Sequence, residues 1–398
     1  MSEIFSKAAG LSWPLMENNI TREDLARLVD FLKSEPRLTQ SGNVEKFEAQ
    51  WSEWIGVRHS VFVNSGSSAN LLTLAALREL YGTGEVIVPP LTWVSDIAAV
   101  LHCGFKPVFA DIDPRTLGLA EEEVIRKIND KTRAVFLTHI LGYNAISEKL
   151  LKTLEASGVA LIEDACESHG ATFRGRRVGS FGLVSNFSFY YAHHLSTIEG
   201  GMVSTNDEKI YETVRMMRSH GLVREIKSAG LKAAYGSAHP DLEPEFIFAF
   251  PAYNVRSTEI NAVLGLSQLA RLDANIAKRN RNMELFLKGL DPAKYRTDFA
   301  TEGMSNYAFT LVLQKTSAAL APKVMETLRD HGVEFRRGAS GGGNQLRQPY
   351  LKKIFGAGEC LKYPETEHIH FNGFYIGNYP DLEESKIGKL CGILNGIG

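Results

Sequence analysis

Residues 160–171 read ALIEDACESHGA, an apolar run that ends in two adjacent acidic residues, Glu163 and Asp164. A short apolar run of this kind predicts a buried β-strand, and a carboxylate at its end is costly to bury unless it meets a cationic partner. Five further runs between residues 85 and 205 share this texture: EVIVPP, PVFADID, RAVFLTHI, NFSFYY and GGMVST. The segment therefore predicts a series of buried strands.

Amphipathic segments separate the earlier strands, as at residues 121–129 and 147–155. Near-continuous apolar strands that alternate with helices favour a mostly parallel sheet covered on both faces, so the expected fold class is α/β. Such a sheet binds ligands at the carboxyl ends of its strands. We therefore look for functional residues at those ends.

The chain changes character near residue 270. Residues 264–290 carry apolar side chains three and four positions apart between charged ones, which predicts one long helix that connects two lobes. The remainder, with NYAFTLVLQ and HIHFNGFYIG, predicts a small α+β domain. We expect a large domain over residues 1–270 and a small one over residues 271–398.

Composition excludes several classes of partner. The 398 residues carry 44 Lys plus Arg against 46 Asp plus Glu, a balance that gives no reason to expect nucleic acid or an acidic membrane. No apolar run approaches the roughly 18 residues that cross a bilayer, and the first fifteen residues lack the apolar core of a secretion signal. The four cysteines form no CxxC pair, which predicts neither disulfides nor a zinc site. We expect a cytoplasmic protein without a bound metal.

The first candidate site is NSGSSANLLTLAAL, residues 64–77. Glycine and serine directly before an apolar helix place free backbone N–H groups and hydroxyls at a helix N-terminus, where the helix dipole favours an anion. Phosphate is the expected guest of Gly66, Ser67 and Ser68. An ordinary serine N-cap is the alternative.

Two further candidates lie at strand ends. Trp93 follows the strand that begins near Val86, where an indole can lie flat against a planar ring, although large aromatics are more often core residues. Asp164 would be balanced by the protonated ring nitrogen of a cofactor, or by an internal arginine or a helix cap. Glu167 and His169 follow closely enough to reach the same cleft.

The segment SNFSFYYAHHLSTIEGGMVST, residues 185–205, holds two adjacent histidines after a strand. Adjacent histidines rarely point the same way, which is poor geometry for a metal. An imidazole is a good proton shuttle near neutral pH, although an isolated histidine is more often structural.

Together these motifs resemble the sugar aminotransferase family of the aspartate aminotransferase fold, fold type I, in which pyridoxal phosphate acts on nucleotide-linked keto-sugars. The resemblance runs from about residue 12 into the C-terminal domain. It implies that Trp93 stacks on the pyridine ring and that Asp164 pairs with the ring nitrogen, which keeps the ring an electron sink. The other cofactor-binding residues that it implies are Gly66, Ser67, Ser68, Glu167, Ser188 and Asn254.

Asn254 lies in FPAYNVRSTEINAVLGLSQL, which resembles the family segment whose asparagine reaches the phosphate of the neighbouring subunit. The resemblance therefore implies a homodimer with shared active sites.

The informative departure from the family is a missing lysine. Ordinary members carry, after the strand that ends here at Ser188, a lysine that forms a Schiff base with the cofactor. Five residues after Ser188 this chain has His193. Imidazole cannot form that link but can remove and return a proton, so base-assisted elimination is expected in place of ordinary transamination.

With a histidine in place of the lysine, the chain resembles the family's 3-dehydratases of nucleotide-linked 4-keto-6-deoxyhexoses. These enzymes are of two types. One acts on GDP-4-keto-6-deoxy-D-mannose; the other acts on a CDP-linked sugar and holds an iron–sulfur cluster. The cluster needs closely grouped cysteines, and none lies between Cys166 and Cys360, which favours the GDP type. Residues 341–351, GGGNQLRQPYL, resemble the CDP type instead, so the nucleotide stays open.

The implied activity forms pyridoxamine phosphate from L-glutamate and then removes the C3 hydroxyl of the sugar, in deoxysugar biosynthesis for bacterial surface polysaccharide. Arginines are candidates for the glutamate carboxylates, because a guanidinium grips a carboxylate with two parallel hydrogen bonds. The other polar residues are candidates for the sugar or its diphosphate, with a solvent-facing loop as the alternative. The candidate substrate-binding residues are His220, Arg224, Arg336, Arg337, Asn344 and Arg347.

Two alternatives remain open. In the first, the chain is a true aminotransferase of a keto-sugar with an unusual histidine. In the second, it is a regulatory protein that binds the cofactor without turnover.

The glycine-rich patch at residues 338–343 predicts a mobile loop with exposed backbone amides.

Overall fold

A computed structural model gives the fold, and the structure describes residues 11–316 and 319–398. The strands in this part of the chain are β1 His59–Val63, β2 Glu85–Val88, β3 Lys106–Phe109, β4 Thr132–Thr138, β5 Ala160–Asp164, β6 Thr172–Phe173, β7 Arg176–Arg177, β8 Val184–Ser188, β9 Gly201–Thr205, β10 Ala308–Val312, β11 Phe335–Arg337 and β12 Gly373–Gly377. The first nine strands include the six runs identified in the sequence.

The helices lie between and after these strands. They are α1 Arg22–Lys33, α2 Gly42–Ile55, α3 Gly66–Tyr81, α4 Val94–His102, α5 Glu121–Lys127, α6 Glu148–Ser157, α7 Glu208–Arg218, α8 Ala229–Ala238, α9 Glu259–Leu269, α10 Leu272–Gly289, α11 Leu320–Asp330, α12 Pro349–Phe355, α13 Pro364–Asn372 and α14 Glu384–Asn395. None of the described helices is both long enough and apolar enough to cross a membrane.

Seven strands form one sheet in the order β1-β9-β8-β5-β4-β2-β3. The pairs β2–β3, β2–β4, β4–β5 and β5–β8 are parallel, whereas β9 runs antiparallel to both β1 and β8. The expected α/β class with a mostly parallel sheet is therefore confirmed. Asp164 and Ser188 end the neighbouring parallel strands β5 and β8, so both lie at one edge of the sheet.

Alternating side chains of each strand supply the two cores. Val86 and Val88 pack in the apolar cluster that includes Leu72 of α3, whereas Ile87 packs in the cluster that includes Trp51 of α2. Both faces are thus covered by helices, and each fully buried aliphatic side chain contributes roughly 1.5–3 kcal/mol. This rigid layer fixes the strand ends.

The expectation of one long helix over residues 264–290 is wrong. Helix α9 ends at Leu269, α10 begins at Leu272, and Arg271 between them has a φ of −112°. The Arg271 guanidinium turns to Asp24 of α1, with Nη1 2.8 Å from Oδ1. The apolar spacing continues through this break, so the sequence gives no sign of it.

The C-terminal part forms a three-stranded antiparallel sheet in the order β10-β12-β11. Trp13, from the other end of the chain, is buried against it, and its Nε1 donates a hydrogen bond to the Gly377 carbonyl over 2.9 Å. The residues around Trp13 therefore pack with the small sheet. The domain limits of 1–270 and 271–398 stay a prediction.

Candidate active site

Helix α3 begins at Gly66, directly beside the end of β8. Ser65 is its N-cap, and its Oγ accepts a hydrogen bond from the Ser68 N–H over 3.0 Å. A Cβ at Gly66 would lie 2.6 Å from the Ser188 Cβ and 3.1 Å from the Cys166 Sγ, so only glycine fits there. The serine N-cap alternative is thus realised by Ser65, and the helix N-terminus with Gly66 and Ser188 is brought together as an anion cradle.

Asp164 is the buried carboxylate at the end of β5. Its Oδ1 accepts from the Cys166 N–H over 2.9 Å, and its Oδ2 accepts from Asn70 Nδ2 over 3.0 Å. The buried salt bridges of the described residues involve other acids, Asp24, Glu48 and Glu163. A buried carboxylate with neutral donors alone suits a cationic guest such as a protonated ring nitrogen.

Glu163, the neighbour of Asp164, has a different role. It points to the other face of the sheet, as alternation along a strand requires, and accepts hydrogen bonds from three backbone N–H groups over 2.6–2.8 Å. Those groups belong to Gly179, Phe181 and Gly182. Glu163 is therefore a structural anchor for the turn before β8.

Trp93 stands just before α4 and, unlike a core residue, is 53% exposed. Asp96, one turn later, was missed by sequence reasoning because it lies within the apolar stretch VSDIAAVLH. It is fully buried, and Asn70 Nδ2 donates to its Oδ1 over 2.8 Å as well as to Asp164. Burial and then the charge of Asp164 raise the pKa of Asp96 well above its usual value.

His193 lies in the turn after β8, where Asn19 Nδ2 donates to its carbonyl over 2.9 Å. Its ring is 5.9 Å from the His169 ring and 5.5 Å from the Tyr307 ring, centroid to centroid. Burial, followed by the charge of Arg279, lowers the pKa of His193 to about 3. The imidazole is therefore neutral at neutral pH, and its buried Nδ1 has no hydrogen-bond partner among the described residues.

His169 and His194 complete a group of three imidazoles around this turn. His194 Nε2 is 3.1 Å from the Ser305 carbonyl, whereas both ring nitrogens of His169 lack a partner in the described chain. Burial lowers the pKa of each well below its usual value. The His193 and His194 rings both lie within 6.1 Å of the His169 and Tyr307 rings, centroid to centroid. The described residues nevertheless hold no group of three His, Cys, Asp or Glu placed to bind a metal.

Glu167 follows β5 and contacts two distant segments of the chain. Its Oε2 accepts from the Leu141 N–H over 2.9 Å, and Ser340 Oγ of the C-terminal part lies 3.5 Å from its Oε1. Burial raises the pKa of Glu167 to about 7, so this carboxyl exchanges its proton near neutral pH. The charge of Asp164 also raises the pKa of Glu167.

Four of the predicted substrate residues fall into two groups, the first of which lies beside the predicted cofactor-binding residue Asn254. His220 and Asn254 are exposed neighbours on one edge, because Ser219 and Asn254 pair across an isolated bridge, and Arg224 lies 5.6 Å from the Phe246 ring nearby. Arg336 and Arg337 are exposed on β11, where Arg336 pairs in register with Tyr375. The two groups lie on different domains.

Asn344 and Arg347 instead bond to the same internal carboxylate. Asn344 Nδ2 and Arg347 Nε each lie 2.8 Å from the Glu367 Oε1. Asn344 is fully buried. A role of either residue in substrate binding stays a prediction, as for the other candidates.

The expectation of a mobile loop with exposed amides at residues 338–343 is wrong. Gly338, Ala339, Ser340 and Gly343 are buried. A Cβ at Gly341 would lie 2.3 Å from the Thr92 carbonyl oxygen. The glycines serve close packing against the strand ends rather than mobility.

Sheet, helix N-terminus, strand-end carboxylate and exposed tryptophan together are the arrangement of fold type I. The DegT/DnrJ/EryC1/StrS aminotransferase family matches residues 18–395, and the chain belongs to this family. The family resemblance drawn from the sequence is thereby confirmed.

Several individual relatives are 3-dehydratases of a GDP-linked sugar. The GDP-4-keto-6-deoxy-D-mannose 3-dehydratase of Escherichia coli O55:H7 is 31% identical, over 93% of this chain and 96% of its own. The structure of an E. coli GDP-4-keto-6-deoxy-D-mannose-3-dehydratase with bound hydrated PLP matches with a TM-score of 0.87 and 29% identity, covering 96% of this chain and 99% of the other. A GDP-4-keto-6-deoxymannose-3-dehydratase structure with a trapped PLP-glutamate geminal diamine matches with a TM-score of 0.86 and 29% identity, over 96% and 100%.

Proposed function

We propose that this chain is a pyridoxal phosphate-dependent 3-dehydratase of a nucleotide-linked 4-keto-6-deoxyhexose, with L-glutamate as amino donor. The observation that carries the proposal is a neutral, buried imidazole, His193, five residues after Ser188, where ordinary members of the family have a lysine. Relatives that match over nearly their whole length are named as 3-dehydratases of a GDP-linked sugar of this kind.

The residues present fit the cofactor. The N-terminus of α3 with Gly66 and Ser188 would hold the phosphate, because the close approach of these residues leaves backbone N–H groups at a helix N-terminus. Trp93 offers an exposed indole face, and Asp164 a carboxylate without a cation. When bound, the cofactor supplies an electron sink that stabilises negative charge on the adjoining carbon.

His193 performs the proton transfers. Its depressed pKa keeps the ring unprotonated at neutral pH, so it is ready to take a proton from the cofactor's C4′ carbon. The same imidazole then protonates the C3 hydroxyl as it leaves. Without a lysine at this place the chain cannot hold the cofactor covalently there, so elimination is favoured over amino transfer.

Arginines bind the anionic groups of the substrates. Arg336 and Arg337 on β11 are exposed for the glutamate carboxylates, and Arg224 is half-buried near His220. Asn344 and Arg347, which both bond to the Glu367 carboxylate, are the candidates for the sugar or its diphosphate. A trapped adduct of PLP with glutamate in a similar structure supports glutamate as the donor.

We place the enzyme in the cytoplasm as a homodimer. Asn254 is exposed in the single chain, which suits an asparagine that reaches the phosphate site of a second copy. The four cysteines at 103, 166, 360 and 391 are all unpaired, which fits a reducing compartment. The product serves deoxysugar biosynthesis for surface polysaccharide.

One experiment separates the proposal from its alternatives. The full-length protein with PLP is incubated with L-glutamate and GDP-4-keto-6-deoxy-D-mannose or a CDP-linked 4-keto-6-deoxyglucose. Release of free ammonia with a 4-keto-3,6-dideoxy sugar is expected from one of the two. A stable amino sugar would make the chain an aminotransferase, and absence of 2-oxoglutarate would make it a binding protein without turnover.

A further inference from the structure

A second carboxyl group lies next to the carboxylate that faces the ring nitrogen. Asn70 Nδ2 is 3.0 Å from the Asp164 Oδ2 and 2.8 Å from the Asp96 Oδ1, so one amide nitrogen connects the two acids. Asp96 is fully buried and Asp164 nearly so. The elements that hold them are α3, α4 and β5, which also carry the proposed phosphate cradle, the tryptophan and the ring-nitrogen carboxylate.

The two acids cannot both be ionised. Neither belongs to a salt bridge among the described residues, and the titratable groups around them, Cys166, Glu167 and Tyr350, bring no positive charge. Two neighbouring buried carboxylates without a cation repel each other and lose their hydration, so one of them keeps a proton.

Their hydrogen-bond partners decide which acid that is. Asp164 receives hydrogen bonds from groups that only donate, the Cys166 backbone N–H and the Asn70 amide, and these stabilise an anion. Asp96 faces two hydroxyls, with Thr138 Oγ1 2.8 Å from its Oδ2 and Thr92 Oγ1 close by. A hydroxyl group can accept a hydrogen bond from a protonated carboxyl group as well as donate one to a carboxylate. The proton therefore belongs to Asp96.

We propose that Asp96 is a positioning residue of the cofactor site: it stays protonated and, through Asn70, holds Asp164 as the single carboxylate presented to the pyridine nitrogen. The inference rests on the proposed function and adds to it the residue that sets the charge at this place. Because Asp96 contacts Asn70 and not the ring, it acts on the nitrogen only through Asp164.

The protonation of Asp96 is tested on the full-length protein freed of cofactor, by urea unfolding of the wild type and Asp96→Asn from pH 4 to pH 8. An acid that stays protonated in the folded state but ionises near pH 4 in the unfolded state destabilises the fold, and this destabilisation grows as pH rises. The ratio of folding constants, variant over wild type, should therefore rise with pH, by up to about tenfold per pH unit. Asp24→Asn is the control: the Asp24 pKa is lowered, so its ratio should not rise between pH 4 and pH 8, and its main change should come below pH 4.

A ratio for Asp96→Asn that does not rise between pH 4 and pH 8 would overturn the inference, whether or not the chain proves to be a dehydratase.

The positioning role is tested by binding of PLP alone, with the cofactor labelled with ¹⁵N in the ring. Asp96→Asn, which preserves the contact with Asn70, should bind PLP within about threefold of the wild type and keep the ring nitrogen protonated at pH 7.5. Asp96→Leu removes that contact and should bind at least about tenfold more weakly, with a ¹⁵N shift toward the unprotonated ring. Equal affinity and equal shift in Asp96→Leu would contradict the inference, whereas a wild type that fails to bind PLP would contradict the proposed function instead.

Discussion

At the scale of single residues, the site depends on burial, which shifts the pKa values of its side chains. His193 is neutral because its ring is buried and because Arg279 adds a positive charge nearby. Arg279 is itself buried, and its Nη1 donates to the Tyr307 carbonyl over 2.9 Å. Arg279, whose charge adds to the larger effect of burial, is therefore held in place by backbone carbonyls.

Replacing His193 by Asn should abolish dehydration while the cofactor still binds. The change removes the proton carrier but leaves Asp164, Trp93 and the phosphate cradle intact. We expect ammonia release to fall by about 10²-fold or more, the usual contribution of a general base. His194→Asn is the matched control, because His194 bonds to the Ser305 carbonyl, and it should stay within about threefold of the wild type. If ammonia release fell in His194→Asn but not in His193→Asn, His194 and not His193 would be the base.

Glu167→Gln should make stability less dependent on pH near neutrality. Burial raises the folded pKa of Glu167 to about 7, above an unfolded value near 4.3. The wild type therefore loses stability as pH rises from about 4 to 7, and glutamine, which still accepts from the Leu141 N–H, does not. Above pH 7 the variant should unfold with a free energy higher by at most about 3 kcal/mol, a difference that vanishes near pH 4. Unfolding curves that keep a constant separation at all pH values would contradict the raised pKa.

At the scale of elements, one ion pair fixes the N-terminal helix and the turn that carries His193. Arg271, in the break between α9 and α10, binds Asp24 of α1 and donates to the Asn19 carbonyl over 2.9 Å. Asn19 in turn binds the His193 carbonyl. Burial alone would raise the pKa of Asp24, but the hydrogen bonds from Arg271 and Ser267 outweigh it and lower the pKa.

Arg271→Met should therefore destabilise the fold at neutral pH. It leaves a buried carboxylate without its cation, for which we expect a loss of about 2 kcal/mol, less than for a fully buried pair because Arg271 is partly exposed. Asp24 stabilises the fold above its unfolded pKa near 4 and stops doing so as pH falls, so the loss should shrink below pH 4. Arg27→Met, which breaks an exposed pair on the same helix, should cost under about 0.5 kcal/mol. Hydrogen exchange at residues 192–194 should accelerate only in Arg271→Met.

The sequence predicts the strands better than the loops and helix ends, for a physical reason. Apolar runs such as residues 160–164 form strands because both faces of the sheet are covered, and that pattern is local. At the break, the Arg271 guanidinium binds Asp24, 247 positions away, and Gly341 packs against the Thr92 carbonyl. Contacts between distant segments leave no trace in the local spacing of apolar residues.

At the scale of the whole molecule, contacts between distant segments also limit how much of the site the sequence predicts. Strand-end position predicts Asp164 and Trp93, because the carboxyl ends of parallel strands lie at one edge, and Ser188 is added by the family resemblance. Asp96 was not predictable, since an acid on an apolar helix shows its role only when Asn70 connects it to β5. Ser340, of the C-terminal part, approaches Glu167 at this edge.

The last prediction concerns the second copy of the chain. Exposed aromatic side chains cluster before Asn254, with Phe246 59% and Phe248 55% exposed. Apolar surface of this kind is typical of an interface. Phe248→Asp should convert the proposed dimer to a monomer at micromolar concentration in analytical ultracentrifugation, because a charge in an apolar contact loses its hydration. PLP should then bind at least about tenfold more weakly, since Asn254 no longer reaches the other chain's phosphate. Leu361→Asp, at an apolar residue of the C-terminal part that is 68% exposed, should keep the dimer. A Phe248→Asp variant that keeps the dimer with unchanged PLP affinity would exclude this edge as the shared site.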